Sequence, residues 1–348
     1  MSKRPGPESF SHADFTAAVA AETGLTQAEL TRRADAVTDS ADPLLAAARR
    51  NNQRRPEAES TPEALRPLLD QYEEQLQVLD DAGIVDRLPN GKRGIVGVDG
   101  TEYVTPTPTE VERQVAERAE VLERKFEAGF TRLLLVPFGM PLERLTAAYG
   151  EAIKKAHSQG KLLDVNGEPL ELDTDEPVWT WDEMKGVDVD GRLVYSPKEF
   201  TDDSHGGMTK AELLQAEQVT PGWQVVLVED LGNLPKEGEG KTIDDRPQLV
   251  TGRSPEDDLR ELQSNPIYDE EVGLTPEAYF MLALTKLRED GRVPDTDTGT
   301  NLLGAWLPGQ RKVPCARWRR GRRRARLRAG RPDDEAPDWG VRAAVRVT

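Results

Sequence analysis

The chain has 348 residues, enough for about two domains, and only 36% of them are hydrophobic against 31% charged, which is lean for one continuous core. It carries 46 Lys and Arg against 63 Asp and Glu, a formal charge of −17, which excludes a generally basic protein that coats nucleic acid. One cysteine, Cys315, excludes an internal disulfide and a multi-cysteine metal site, and three histidines far apart in sequence (His12, His157, His205) offer no histidine-rich relay, so no cofactor is expected.

Taken in chain order, residues 1–60 are rich in Ala, Arg, Glu, Ser, Asp and Pro. Their weak helical stretches, Asp14–Glu22 and Gln27–Ala36, can bury little apolar area, which predicts a mobile or loosely helical segment. No apolar run follows the basic residues at the start, so no secretory signal is read. The uncharged, mostly apolar stretch near a strand, Leu133–Met140, has eight residues, far below the roughly twenty of a spanning helix. A protein without a membrane span, made in the cytoplasm by default, is expected; a surface or released location stays open.

Residues 61–160 predict a helical region with a small β-hairpin. Thr61-Pro62-Glu63 opens a helix to about Asp81 that Gly83 ends, and Gly94–Val104 forms a hairpin around a type I′ turn at Asp99-Gly100. Thr107-Pro108-Thr109-Glu110 opens a charged helix with Val111, Val115, Leu122 and Phe126 at helical spacing. That stripe is ordinary core packing on a solvated helix. Leu133–Phe138 then reads as a buried strand and Leu142–His157 as a helix.

Residues 161–348 change to short β runs: Val178–Trp181, Arg192–Tyr195, Trp223–Val228, Leu302–Leu307, Val313–Trp318, Arg324–Arg328 and Gly340–Val347. Two capped helices interrupt them, one opened by Ser254-Pro255-Glu256, the other by Thr275-Pro276-Glu277 and stopped by Gly291. Strands and helices so mixed predict an α+β domain. Asp295-x-Asp297-x-Gly299-x-Asn301 fails as a calcium loop because Gly299 holds the fifth position, so it reads as a polar turn. Asp188-Val189-Asp190-Gly191 reads as a hairpin turn, and His205-Gly206-Gly207 has no nucleophile at a recognisable turn beside it.

The anomaly lies near the C-terminus. From Arg311 to Arg331 there are ten arginines and one lysine in 21 residues, with no acid. Arg clusters suit phosphates or acidic surfaces, yet Trp318, Ala325 and Leu327 are interspersed with strand-like alternation. Asp333, Asp334, Glu335 and Asp338 follow, and then an apolar ending, Trp339–Val347. The pattern predicts a displayed region anchored at both ends by a scaffold.

Gly273–Glu277 through Gly340–Val347 resembles the C-terminal part of variable proteins of diversity-generating retroelements, and Gly94–Val104, Leu134–Pro141 and Trp223–Leu231 resemble the accompanying scaffold. The resemblance implies a C-type-lectin-like fold of the formylglycine-generating-enzyme type, preceded by a mainly helical N-terminal region, with a variable ligand-binding region at about 315–339. It also implies diversification at asparagine codons of the form AAY. Changing both adenines of such codons never yields Trp, Gln, Glu, Lys or Met, so Trp318, Glu335 and Trp339 are fixed. With Ala316, Trp318, Arg320, Arg323, Ala325 and Leu327 read as scaffold, the ligand-binding candidates are Cys315, Arg317, Arg319, Gly321, Arg322, Arg326, Arg328, Gly330, Asp334, Ala336 and Asp338. Trp318 and Trp339 are expected to pack in the core, and Arg320, Arg323 and Arg342 to support the site through ion pairs.

The fold's oxidases use two cysteines for copper, and this chain has one. A non-enzymatic protein is therefore expected, with an anionic ligand: an acidic protein surface, a polysaccharide or nucleic acid. The alternatives are an Arg-rich nucleic-acid-binding protein and, less favoured, an oxidoreductase of the formylglycine-generating type.

Overall fold

Prolines and hydroxyl caps decide where the helices begin. The computed structural model describes residues 61–216 and 220–347; the predicted loose helices within residues 1–60 lie outside the described residues. The first α-helix of the described residues, α1, spans Arg66–Asp81, later than the expected start at Thr61. Pro67 lacks an amide hydrogen and fits only the first turn, so Pro62 and Glu63 lead instead into a separate 3₁₀ turn, Glu63–Leu65. Helix α2, Pro108–Glu117, carries a full capping box between Thr107 and Glu110. The single helix expected there breaks at Arg118, φ −120°. The guanidinium of Arg118 reaches the Arg346 carbonyl and Glu270, and α3 resumes at Ala119–Glu127.

The elements that frame the two larger sheets are β1 (Arg132–Val136), α4 (Leu142–Ser158), β2 (Val178–Thr180), α5 (Lys210–Ala216), β3 (Gln224–Val228) and α6 (Pro255–Ser264). After them come β4 (Glu271–Gly273), α7 (Pro276–Asp290), β5 (Gly299–Asn301), β6 (Val313–Arg319), β7 (Arg324–Gly330), β8 (Trp339–Val341) and β9 (Ala343–Arg346). Thr275 and Ser254 cap α7 and α6 through their hydroxyls, and Gly291 ends α7 at φ 76°, as the sequence indicates. Leu302–Leu307 is not one strand: the chain pairs at Gly299–Asn301 and again at Ala305–Trp306, in different sheets.

The described chain is α+β, with several small sheets. One sheet has the order β4-β9-β3-β1 and is antiparallel. The other has the order β8-β5-β6-β7-β2, antiparallel at its centre and closed by a parallel strand at each edge. Helices α4 and α7 pack on each other; α7 also touches β1 of one sheet and β6 of the other, so the two sheets share a core across it. Residues 61–160 and 161–347 thus both contribute to one continuous apolar cluster, in which Trp223, Trp306 and Trp318 are the bulkiest fully buried side chains. Among the described residues no helix is long and apolar enough to cross a membrane.

Two turns differ from the sequence reading. In the hairpin of Arg93–Val96 with Glu102–Val104, five residues rather than two form the loop, because Val96 pairs with Glu102. Only Gly100 takes positive φ, whereas a type I′ turn needs it twice; the Asp99 side chain closes the loop by accepting from the Thr101 amide and the Tyr103 hydroxyl. Asp188 begins no hairpin, since the following strand, Val194–Tyr195, pairs with Met208–Thr209 and Ala305–Trp306. Its carboxylate is buried instead, 2.6 Å from Lys210 Nζ, which also lies 2.8 Å from Glu277. Tyr195 donates to the same Glu277 at 2.7 Å, so this polar knot fastens the small sheet to α7.

Asp258 on α6 is fully buried, and neither carboxylate oxygen has a hydrogen-bond partner. Burial pushes its pKa up to about 7, against the attraction of Arg253 at 3.1 Å. The folded protein therefore keeps this proton where the unfolded chain has released it, so the associated stability is full below about pH 4 and is lost as pH rises through about 7. Urea denaturation across that window should show a decline on the order of a few kcal/mol, and Asp258→Asn should flatten it; parallel curves for the two proteins would contradict the assignment.

Candidate ligand-binding face

Strand alternation sorts the arginine-rich segment into two faces. On β6 and β7, Ala316, Trp318, Ala325, Leu327 and Ala329 turn inward and are buried, while Arg317, Arg319, Arg324, Arg326 and Arg328 turn outward. Antiparallel pairing sets Arg317 opposite Arg326 and Arg319 opposite Arg324. These like charges face one another across the hairpin, an arrangement that costs stability unless something offsets it.

Aromatic rings offset part of that cost. Arg326 pairs in register with Trp179 of β2, and its guanidinium lies 4.9 Å from that ring's centroid, with Arg324 at 5.9 Å. At the opposite edge Trp339 receives Arg328 at 4.8 Å and Arg317 at 5.3 Å. Trp339 pairs with Gly299, and its indole occupies the space of the missing side chain: a Cβ on Gly299 would stand 2.6 Å from Cε3. The glycine is what lets the ring lie flat across β5. Beside this row, Lys312 stacks on Trp181 at 4.5 Å.

Acids neutralise only the margins. Arg317 is 2.5 Å from Asp338, Arg320 is 2.5 Å from Asp164 and 3.1 Å from Asp297, and Arg324 pairs with Glu176. Burial opposes ionisation of Asp164, but hydrogen bonds from Arg320 and from the Glu168 and Asn166 amides outweigh it and hold the pKa below the usual value. Among the described residues, Arg319, Arg322, Arg323, Arg326 and Arg328 have no acid within ion-pair distance. Desolvation, then the charges of Arg328 and Arg319, lower the pKa of Arg326, although an arginine remains charged. The centre of the face is thus an uncompensated cation cluster.

The other predicted residues fall around it. Gly321 and Arg322 are exposed on the hairpin tip, where Arg320–Arg322 make a 3₁₀ turn and Arg323 takes a left-handed φ of 53°. Arg323 forms no ion pair among the described residues, against expectation; its backbone carbonyl instead accepts from the Asp173 amide at 2.7 Å. Gly330 ends β7 opposite Val313, and Asp334 and Ala336 lie in the exposed to half-buried return segment. Cys315 lies on the outward row opposite Arg328 yet is 1% exposed, and burial pushes its thiol up to about 11. Trp318 packs in the core as expected, whereas Trp339 is half-buried on the outer face and not in the core.

The chain has no match among models of protein families, curated proteins or solved structures. The face therefore stands on its own geometry. Its support includes residues that the sequence reading did not assign: Trp179, Trp181, Asp164, Asp173, Glu176 and Asp297. The alternation Trp179-Thr180-Trp181 was a usable signal, since two tryptophans two apart share a strand face. The acids had none, being more than a hundred residues from the hairpin or in a loop that resembles any polar turn. Among the described residues, no group of three His, Cys, Asp or Glu is placed to hold a metal.

The expected support by Arg342 takes the form of a buried ion pair. Its guanidinium meets Asp295 at 2.7 Å and donates to the Leu231 and Gly232 carbonyls and the Thr300 hydroxyl. Asp295 in turn donates its backbone amide to the Gly232 carbonyl, and its own carbonyl accepts from the Trp318 amide. Arg342→Met strands a buried carboxylate and should cost about 3–5 kcal/mol in urea denaturation, whereas adding Asp295→Asn should restore part of that loss.

Proposed function

We propose that the outer face of the β6–β7 hairpin is a non-enzymatic binding site for an anionic ligand, and that the chain is a variable protein of a diversity-generating retroelement with a C-type-lectin-like fold. The observation that carries the binding reading is the pairing of uncompensated Arg326 and Arg328 with flanking tryptophans on one sheet face. A rigid scaffold limits the ordering cost of binding, and guanidinium groups fork onto carboxylate or phosphate oxygens. The lectin-like reading is supported by an α+β architecture in which the C-terminal strand β9 sits inside a sheet while the preceding hairpin is displayed on another. It is supported too by the distribution of changeable positions, since Arg317, Arg319, Arg326 and Arg328 all lie on the outward face between inward residues read as fixed.

In this reading the diversified side chains alter specificity while Trp318, Arg342 and the inward alanines keep the scaffold constant. Binding to poly-glutamate, heparin or duplex DNA supports, measured by interferometry, should fall by about tenfold or more (~1.4 kcal/mol) in Arg326→Ala/Arg328→Ala. Arg331→Gln, whose charge is paired with Asp333, should leave it unchanged. Unaltered binding by the double variant, or none by the native protein, overturns the site. For diversification the observation is genomic: a near-copy of the codons for residues 315–339, differing only where the copy has adenine, beside a reverse-transcriptase gene. Its absence removes that claim and leaves the binding face standing.

A further inference from the structure

We infer that this face takes a compact acidic segment of a partner protein, a small cluster of carboxylates, and disfavours extended polyanions such as nucleic acid or sulfated polysaccharide. The inference rests on the anion-binding reading above and narrows its ligand class.

The first ground is the layout of charge. The unneutralised Arg326 and Arg328 stand on β7, an inner strand of the sheet, while carboxylates stand on both sides: Asp338 and Asp297 toward β8, Asp173 and Glu176 toward β2. Beyond β7 come Arg331, paired with Asp333 and Asp334, and then Glu335. The carboxylates of Asp338, Asp297, Asp173 and Glu176 lie within 4 Å of Arg317, Arg320 or Arg324, inside the roughly 10 Å screening length of ordinary buffers. A short ligand can place all its charge inside the cationic centre. A polymer that runs past it toward β2 or β8 meets these carboxylates, and residues 1–310 of the chain carry 59 acids against 33 bases.

The second ground is the state of the tryptophans. Proteins that bind single-stranded nucleic acid offer open aromatic faces for its bases to stack on. Trp179 already carries Arg324 and Arg326, and Trp339 already carries Arg317 and Arg328 while covering Gly299. What these stacks leave available is the guanidinium edge, whose planar fork matches a carboxylate. Arginine and tryptophan packed together are also the composition of binding hot spots between proteins.

Fluorescence anisotropy with a labelled short peptide bearing adjacent glutamates tests this directly, with its glutamine counterpart, heparin fragments of increasing length and duplex DNA as competitors. The glutamate peptide should bind, and both its glutamine counterpart and the Arg326→Ala/Arg328→Ala protein should lose about tenfold or more. Heparin and DNA should compete weakly, with no gain from length, and Asp173→Asn/Glu176→Gln should raise their affinity several-fold by opening the rim. Heparin or DNA displacing the peptide with affinity that grows with length overturns this inference while leaving the anion site in place. Failure of every probe to bind overturns both.

Discussion

The buried pair of Arg342 and Asp295 is the constraint on which the architecture turns. Arg342 is the one residue between β8 and β9, where the chain passes from the five-stranded sheet to the four-stranded one. Its guanidinium ties together the loop after β3, the loop after α7 and β5. A charge withdrawn this completely from water is tolerated only when ionically paired and fully hydrogen-bonded. Satisfying it forces the loop at Asp295 into a left-handed turn, φ 56°, which a non-glycine residue rarely adopts. The same loop then fixes the β6 backbone at Trp318, so the register of the displayed hairpin depends on an interaction on the far side of its own sheet.

That arrangement reconciles two opposed demands. A recognition face of like charges repels itself, and Arg317 opposite Arg326 is an unfavourable cross-strand pair. The inward faces of β6 and β7 carry the stabilisation: Trp318, Leu327 and the small alanines seal against α7 and the core. On the outside, two tryptophans hold four guanidinium groups by cation–π contact, a term of about 0.5–2 kcal/mol each, and the peripheral acids hold Arg317, Arg320 and Arg324. The scaffold thereby tolerates outward residues that contribute little to folding, which is the physical condition for exchanging them.

Much of the secondary structure was legible because its signals are local. Thr107, Ser254 and Thr275 cap the helices they precede, and Gly291 stops α7, since a hydroxyl oxygen or a left-handed glycine acts within a few residues. Where prediction failed, a non-local partner had intervened: Arg118 breaks a helix to reach Arg346 and Glu270, Asp188 leaves its turn for Lys210, and Arg323 gives its carbonyl to Asp173 instead of its guanidinium to an acid. Trp339 was expected inside the core because its composition says only that it is large and apolar. Its position on the outer face follows from Gly299, a strand away, which makes the room for it.

By itself, the sequence determined the α+β character, most helix boundaries and the alternation that separates Arg317, Arg319, Arg326 and Arg328 from Trp318 and Leu327, because periodicity and capping depend on neighbours a few residues apart. Only the tertiary structure decided which arginines stay uncompensated. That outcome depends on bringing Asp164, Glu176, Asp297 and Asp338 to particular guanidinium groups and withholding them from Arg326 and Arg328. Charge neutralisation is a matter of distance in space, and strand order across the sheet, which no local pattern encodes, sets those distances.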